Sequence, residues 1–221
     1  MRATGRELID SPVESRGELE QSLRDIEKAN RWLGGAAPVR RQIRALAPAR
    51  VLDVGTGSAD IPRALLADAR RESRPLTVTV LDSNPQMLAI ARERCGCDAE
   101  ITFELGDGTS LPFEDRSFDV AMSNLTLHHI DPEPAVQFLR ELRRVGRVAL
   151  VTDLYRSAPT LAGAWLFSRL VSSNRLTRND APLSARRAYT CAEAIALARA
   201  AGWADPVVRR EPFFRMLLLD A

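Results

Sequence analysis

From Arg50 onward, short apolar runs alternate with helical segments, and this rhythm constrains the fold more than any other feature of the chain. The runs are VLDV at 51–54, LTVTVLD at 76–82, ITFELG at 101–106, SFDVAMSN at 117–124 and RVALVTD at 147–153. Helical patterns fill the gaps at about 58–71, 85–95 and 134–145. Strands joined through helices run parallel, and a parallel sheet buries both faces. The pattern therefore predicts an α/β fold with a mostly parallel sheet between two helical layers.

Two amphipathic helices precede the first strand. Leu19, Leu23, Ile26 and Leu33 recur near a 3.6-residue period over 18–33, ahead of Gly34-Gly35, and Val39, Ile43 and Leu46 share a stripe over about 38–46. Residues 1–48 read as a helical cap segment and 49–221 as the main domain, within a single globular unit. After Asp153 the rhythm breaks. An apolar helix at about 160–172 leads into a polar, arginine-rich stretch, RLTRNDAPLSARRAYT, that reads as a loop within a cap insertion of about 156–190. A helix at about 190–201 follows, and then VVRR and FFRMLLL flank Glu211-Pro212 as a terminal hairpin whose second strand joins the sheet antiparallel.

Apolar residues make up 45% of the 221, enough to build a core, and 31 basic against 29 acidic side chains leave a charge of +2 that argues for no polyanionic partner. No apolar run approaches the roughly 18 residues of a membrane span, and the N-terminus lacks a signal-peptide core, so a cytoplasmic protein is expected. Cys95, Cys97 and Cys191 fall short of a zinc pattern, and no metal is expected.

The chemistry concentrates at strand ends. In VLDVGTGSADIP (51–62), Asp53 ends an apolar strand, and Gly55, Thr56 and Gly57 form the turn into a helix, where backbone N–H groups and the helix dipole favour an anion or carboxylate. The second strand ends in Asp82-Ser83, where a carboxylate accepts both hydroxyls of a ribose or, alternatively, caps the following helix. Asn84 before Pro85 suits the cap better. Asp107-Gly108 follows the third strand, either as an acceptor for an adenine amino group or as a plain turn.

Together these residues resemble the Rossmann-like S-adenosylmethionine-dependent methyltransferases over about 45–221. Asp53, Gly55 and Gly57 match the family's acidic-residue-then-Gly-x-Gly-x-Gly motif, with Ala59 in place of the last glycine. The resemblance implies strand order 3-2-1-4-5-7-6 with the final strand antiparallel, and S-adenosylmethionine as cofactor. It implies Asp53, Gly55, Thr56 and Gly57 at the methionine end, Asp82 and Ser83 at the ribose, Met87, Asp107 and Gly108 around the adenine, and Asn124 beside the sulfonium.

A nicotinamide-dependent oxidoreductase is the competing enzyme, but its G-x-G-x-x-G fingerprint would need glycine where Asp60 stands. An RNA or protein methyltransferase is a further alternative; an RNA enzyme would carry an additional RNA-binding domain or a strongly basic face, for which Arg40, Arg41, Arg44 and Arg50 are a small candidate. A third possibility is a non-catalytic scaffold subunit. The helical N-terminus and cap resemble enzymes of quinone and polyketide pathways, with a small aromatic, quinol or polyketide-type acceptor methylated on oxygen or carbon. His128 and His129, the only histidines, follow the fourth strand and are the candidate bases. Trp165, Leu166, Phe167 and Leu170 give the cap an apolar face, and Asp180, Arg186, Arg187 and Tyr189 are the polar candidates for orienting the acceptor. Oligomeric state stays open.

Overall fold

A computed structural model describes residues 2–10 and 15–220. Seven strands, β1 (Arg50–Val54), β2 (Thr77–Asp82), β3 (Ile101–Leu105), β4 (Phe118–Asn124), β5 (Gly146–Leu154), β6 (Val207–Glu211) and β7 (Arg215–Asp220), form one sheet in the order β3-β2-β1-β4-β5-β7-β6. All neighbours pair parallel except β7, which runs antiparallel to both β5 and β6. The parallel strands between the helical patterns are thus as expected. The terminal hairpin is shorter than its sequence suggests: Phe213 and Phe214 take left-handed φ values of 55° and 63° and make the turn, leaving Arg215 to open the strand.

Alternating side chains divide the core between the two faces of the sheet, as the period of a strand requires. Val51, Val120, Met122 and Leu150 pack against Val39 and Ile43 of α2 (Ala37–Leu46) and Ile61, Leu65 and Leu66 of α3 (Asp60–Arg71). Leu52, Val54, Ala149 and Val151 pack against Phe138, Leu139 and Leu142 of α5 (Pro132–Val145) and Ala194 and Ala198 of α8 (Cys191–Ala200). α2 and α5 carry a proline at the first or second helical position. Asn84 accepts from the N–H of Gln86 to open α4 (Pro85–Cys95), and Thr190 with Glu193 forms a reciprocal capping box on α8.

A third cluster roofs the carboxyl ends of the strands. Leu19 and Leu23 of α1 (Arg16–Trp32) meet Met87 and Ile90 of α4, Leu176 of α7 (Arg175–Arg187) and Ile9 of a 3₁₀ turn, Leu8–Asp10. The arginine-rich stretch read as a loop is therefore a correction: it folds as α7, capped by Asn174, with Pro182 inside the helix. Its inward side is largely polar, and Thr177, Asp180, Ser184 and Arg187 are buried against the N-terminal segment and α1 rather than against an apolar core. A helix that buries polar groups shows no apolar stripe in its sequence. The other cap helix, α6 (Ala158–Val171), keeps Trp165, Leu166 and Leu170 exposed.

Candidate active site

Between the strand ends and this roof lies a cavity of about 1020 Å³. Small-molecule sites run to roughly 300–1,000 Å³, so this one stands at the upper end of that range. Its floor is the set of loops that leave β1, β2, β3 and β4, the position where open α/β sheets bind their ligands. Gly55, Thr56, Gly57, Asp82, Ser83, Met87, Asp107, Gly108, Asn124, His128, His129, Asp180 and Arg187 all reach its wall.

The turn after β1 explains the local glycine. The N–H groups of Gly55 and Thr56 both donate to the carbonyl of Leu81, folding the loop back onto β2, and Gly55 takes φ +76°. A Cβ there would sit 2.3 Å from Thr126 Oγ1. Asp53 does not reach the cavity wall: it is buried behind the loop, with Oδ2 accepting from the Thr56 hydroxyl at 2.8 Å and Oδ1 unpartnered. Burial pushes its carboxyl up to about 7 against the pull of the Thr56 bond, and the carboxylates of Asp60 and Asp82 push the same way.

Asp82 is not left free by the Asn84 cap. Its Oδ2 accepts from the Gly57 N–H at 2.9 Å and its Oδ1 from the Asn84 N–H at 2.9 Å. Each oxygen of a carboxylate accepts about two hydrogen bonds, so both keep capacity toward the cavity. Burial raises this carboxyl also, while the Asn84 and Gly57 amides pull it down. Asp107 Oδ1 accepts from Thr109 N–H in a tight turn, and Asn124 is held by the Thr152 hydroxyl at 2.6 Å.

Beyond β4 the two histidines stand against residues that sequence reasoning missed. His128 is buried, and its Nδ1 lies 2.6 Å from Asp153 Oδ1 at the end of β5, while its backbone N–H donates to Asp153 Oδ2 at 2.9 Å. Burial works to raise Asp153, yet His128 and the amides of Leu154 and His128 hold it below the usual carboxylate range. An ionised carboxylate only accepts, so Nδ1 carries a ring hydrogen. Nε2 faces Glu7 Oε1 at 3.6 Å. His129 Nδ1 contacts Asp10 Oδ1 at 2.7 Å in a poorly aligned geometry, and its Nε2 faces Glu7 Oε2 at 3.8 Å. Burial pushes the Glu7 carboxyl up to about 7, with His129 and the Ser184 hydroxyl pulling down and Asp180 and Asp10 pushing up. An acid at the end of an apolar strand marked Asp153 in the sequence; nothing local marked Glu7 or Asp10, which arrive from the N-terminal segment.

The expected acceptor-orienting residues are split. Asp180 and Arg187 reach the wall but are engaged in holding the roof: Asp180 accepts the N–H groups of Leu8 and Ile9 at 2.9 and 3.0 Å, and Arg187 donates to the carbonyls of Gly5, His128 and His129. Trp165 and Tyr189 do not line the cavity. Trp165 is exposed beneath Arg169, and the buried Tyr189, its hydroxyl pushed up to about 12 by burial, donates to the carbonyl of Ile130. Leu166, Phe167 and Leu170 of α6 and Phe213 and Phe214 of the hairpin turn do line it. Of the candidate basic group, the three arginines on α2 are ion-paired, Arg40 with Asp68 through Nε and Nη2, Arg41 with Glu211 and Arg44 with Glu72, while Arg50 opens β1.

The methyltransferase domain family matches residues 51–148. A demethylmenaquinone methyltransferase of Thermotoga maritima is 41% identical over 98 residues, covering 44% of this chain and 39% of that protein. A demethylmenaquinone methyltransferase of a Roseiflexus species is 32% identical over 174 residues, covering 72% of this chain and 70% of that protein. The chain spans about half or less of the length of the first curated relatives it matches. Human N-acetylserotonin methyltransferase, solved in complex with SAM, shares the fold with a TM-score of 0.68 at 16% identity, over 97% of this chain and 62% of that one. The chain belongs to the class I, Rossmann-like S-adenosylmethionine-dependent methyltransferases. Among the described residues no helix is long and apolar enough to cross a membrane.

Proposed function

We propose that the protein transfers the methyl group of S-adenosylmethionine to a small aromatic, quinol or polyketide-type acceptor, at oxygen or carbon. The observation that carries this reading is the single cavity bounded by the Gly55–Gly57 turn, by Asp82 and by the Asp107-Gly108 turn, at the carboxyl ends of three adjacent strands. In it the turn receives the methionine end, whose ammonium would favour the charged form of the Asp53 carboxyl buried behind it. The remaining acceptor capacity of Asp82, beside Ser83, takes the ribose hydroxyls. Met87 covers the adenine next to Asp107 and Gly108, and Asn124, fixed by Thr152, stands at the sulfonium.

Methyl transfer is an in-line displacement, so the chain's main work is to hold the acceptor at near-attack distance and exclude water. The apolar side chains of α6 and the hairpin turn suit an aromatic or prenylated ring. The curated relatives named for demethylmenaquinone support that acceptor class. His128 and His129 are the groups that deal with an acceptor hydroxyl. The neutralised arginines on α2 give no support to a nucleic-acid acceptor.

Calorimetry with S-adenosylmethionine and with NADH tests the donor, with micromolar binding of the first and none of the second expected; the reverse overturns the reading. Asp82→Ala should weaken donor binding by about 1–3 kcal/mol, the penalty for an unpaired buried partner. A screen of phenols, quinols and small carboxylates with labelled donor, read by mass, identifies the acceptor class.

A further inference from the structure

Three ligand-type side chains from two distant parts of the chain converge at the acceptor end of the cavity. One ligand atom from each of Glu7, His128 and His129 lies within 4.8 Å of the others, and all three residues line the cavity. Glu7 Oε1 is buried without a hydrogen-bond partner. Across from the Glu7 carboxylate stand His128 Nε2, 3.6 Å from Oε1, and His129 Nε2, 3.8 Å from Oε2, both too far for a hydrogen bond. A hydrogen on either Nε2 would still stand too far from the Glu7 oxygens to bond them. A cation between them satisfies all three.

We infer that Glu7, His128 and His129 form a binding site for one divalent transition-metal ion of the zinc type, its open coordination positions turned to the acceptor. Ligands at about 2.0–2.2 Å from such an ion in tetrahedral array stand roughly 3.3–3.5 Å apart, so the two Glu7–histidine separations need to close by only a few tenths of an ångström. The surroundings are those that metal-bound histidines use. Asp153 and Asp10 contact the Nδ1 atoms, turning each Nε2 inward, and the Ser184 hydroxyl donates to Glu7 Oε2 at 2.7 Å. Asp180 adds a further carboxylate nearby, while the cationic Arg2 and Arg187 are turned to backbone carbonyls. Two imidazoles with one carboxylate favour zinc or cobalt over magnesium or calcium, which take all-oxygen sets.

This inference rests on the proposed methyl transfer only for its role. An acceptor hydroxyl bound to the ion loses its proton to solvent, the metal-held oxygen attacks the methyl carbon, and the carbon–sulfur bond breaks to leave the thioether. Binding is tested without turnover. Chelator-stripped, tag-free protein is titrated with Co2+ and followed by visible absorption, with bound Zn2+ counted by mass spectrometry, for the wild type, Glu7→Gln and His129→Gln; calorimetry with S-adenosylmethionine verifies each fold.

One equivalent is expected in the wild type, and a loss of more than about tenfold in affinity in each variant, against unchanged donor binding. Because the cysteines are identical in all three proteins, a difference between them reports this site. The inference is overturned if donor-binding wild type takes up no Co2+, or if Glu7→Gln binds it equally well. Failure of donor binding with metal uptake intact would instead count against the methyl-transfer reading.

Discussion

Gly55 carries two separate demands, a positive φ and the absence of a Cβ, and they make different predictions. Gly55→Ala should lose about 1–3 kcal/mol of stability from backbone strain and from the approach to Thr126, and donor affinity should fall at least tenfold because the turn moves. Adding Thr126→Ala should return part of the stability, since it removes the clash and not the strain; thermal unfolding and calorimetry on both variants read this. Asp53 offers a sign that can be worked out. Its native carboxyl titrates near 7, above the ordinary value, so between those points the native state holds a proton that the unfolded chain has released. That protonated form is stabilising at low pH and the contribution is lost as pH rises through about 7. Relative to wild type, Asp53→Asn should therefore gain stability between pH 5 and pH 8, by about 1–4 kcal/mol. Parallel denaturation curves at the two pH values would refute it. Asp53 and Gly55 were legible because a strand-to-helix turn compresses its chemistry into a few residues. Glu7 was not, because its meaning comes from His128, which only the tertiary fold brings beside it.

At the scale of elements, the strands and the helices on the sheet were readable wherever burial of apolar side chains sets the period. Val39 and Ile43 in α2 and Leu65 and Leu66 in α3 announce their buried faces. α7 was misread because its packing is polar: Asp180 receives the N-terminal segment, Thr177 bonds Asp25 of α1, and Ser184 bonds Glu7. The same polarity makes the roof sensitive to one substitution. Asp180→Ala should leave the N–H groups of Leu8 and Ile9 without acceptors, at a cost of about 1–3 kcal/mol. Hydrogen–deuterium exchange should then accelerate at Leu8 and Ile9 and leave the central strands unchanged. Acceleration spread through β1 and β4 would mean that the segment is part of the core and not a roof.

For the whole molecule, the two layers of helices secure the sheet by apolar packing, while the cavity is closed from above by α1, α6, α7 and residues 2–10. A donor bound at the strand ends therefore touches both the floor loops and the roof, and its binding energy should appear as global stability. Ligand at 100 times its dissociation constant adds about 2.7 kcal/mol to a native state that alone binds it. In a chain of 221 residues each kcal/mol raises the melting temperature by about 2–4 °C. S-adenosylmethionine at that concentration should thus raise Tm by about 5–11 °C, and NADH at the same concentration should not. The Asp82→Ala variant should require proportionally more donor for the same shift. A full shift with NADH, or none with S-adenosylmethionine at saturation, would mean that the strand-end cavity accommodates a different ligand from the donor proposed for it.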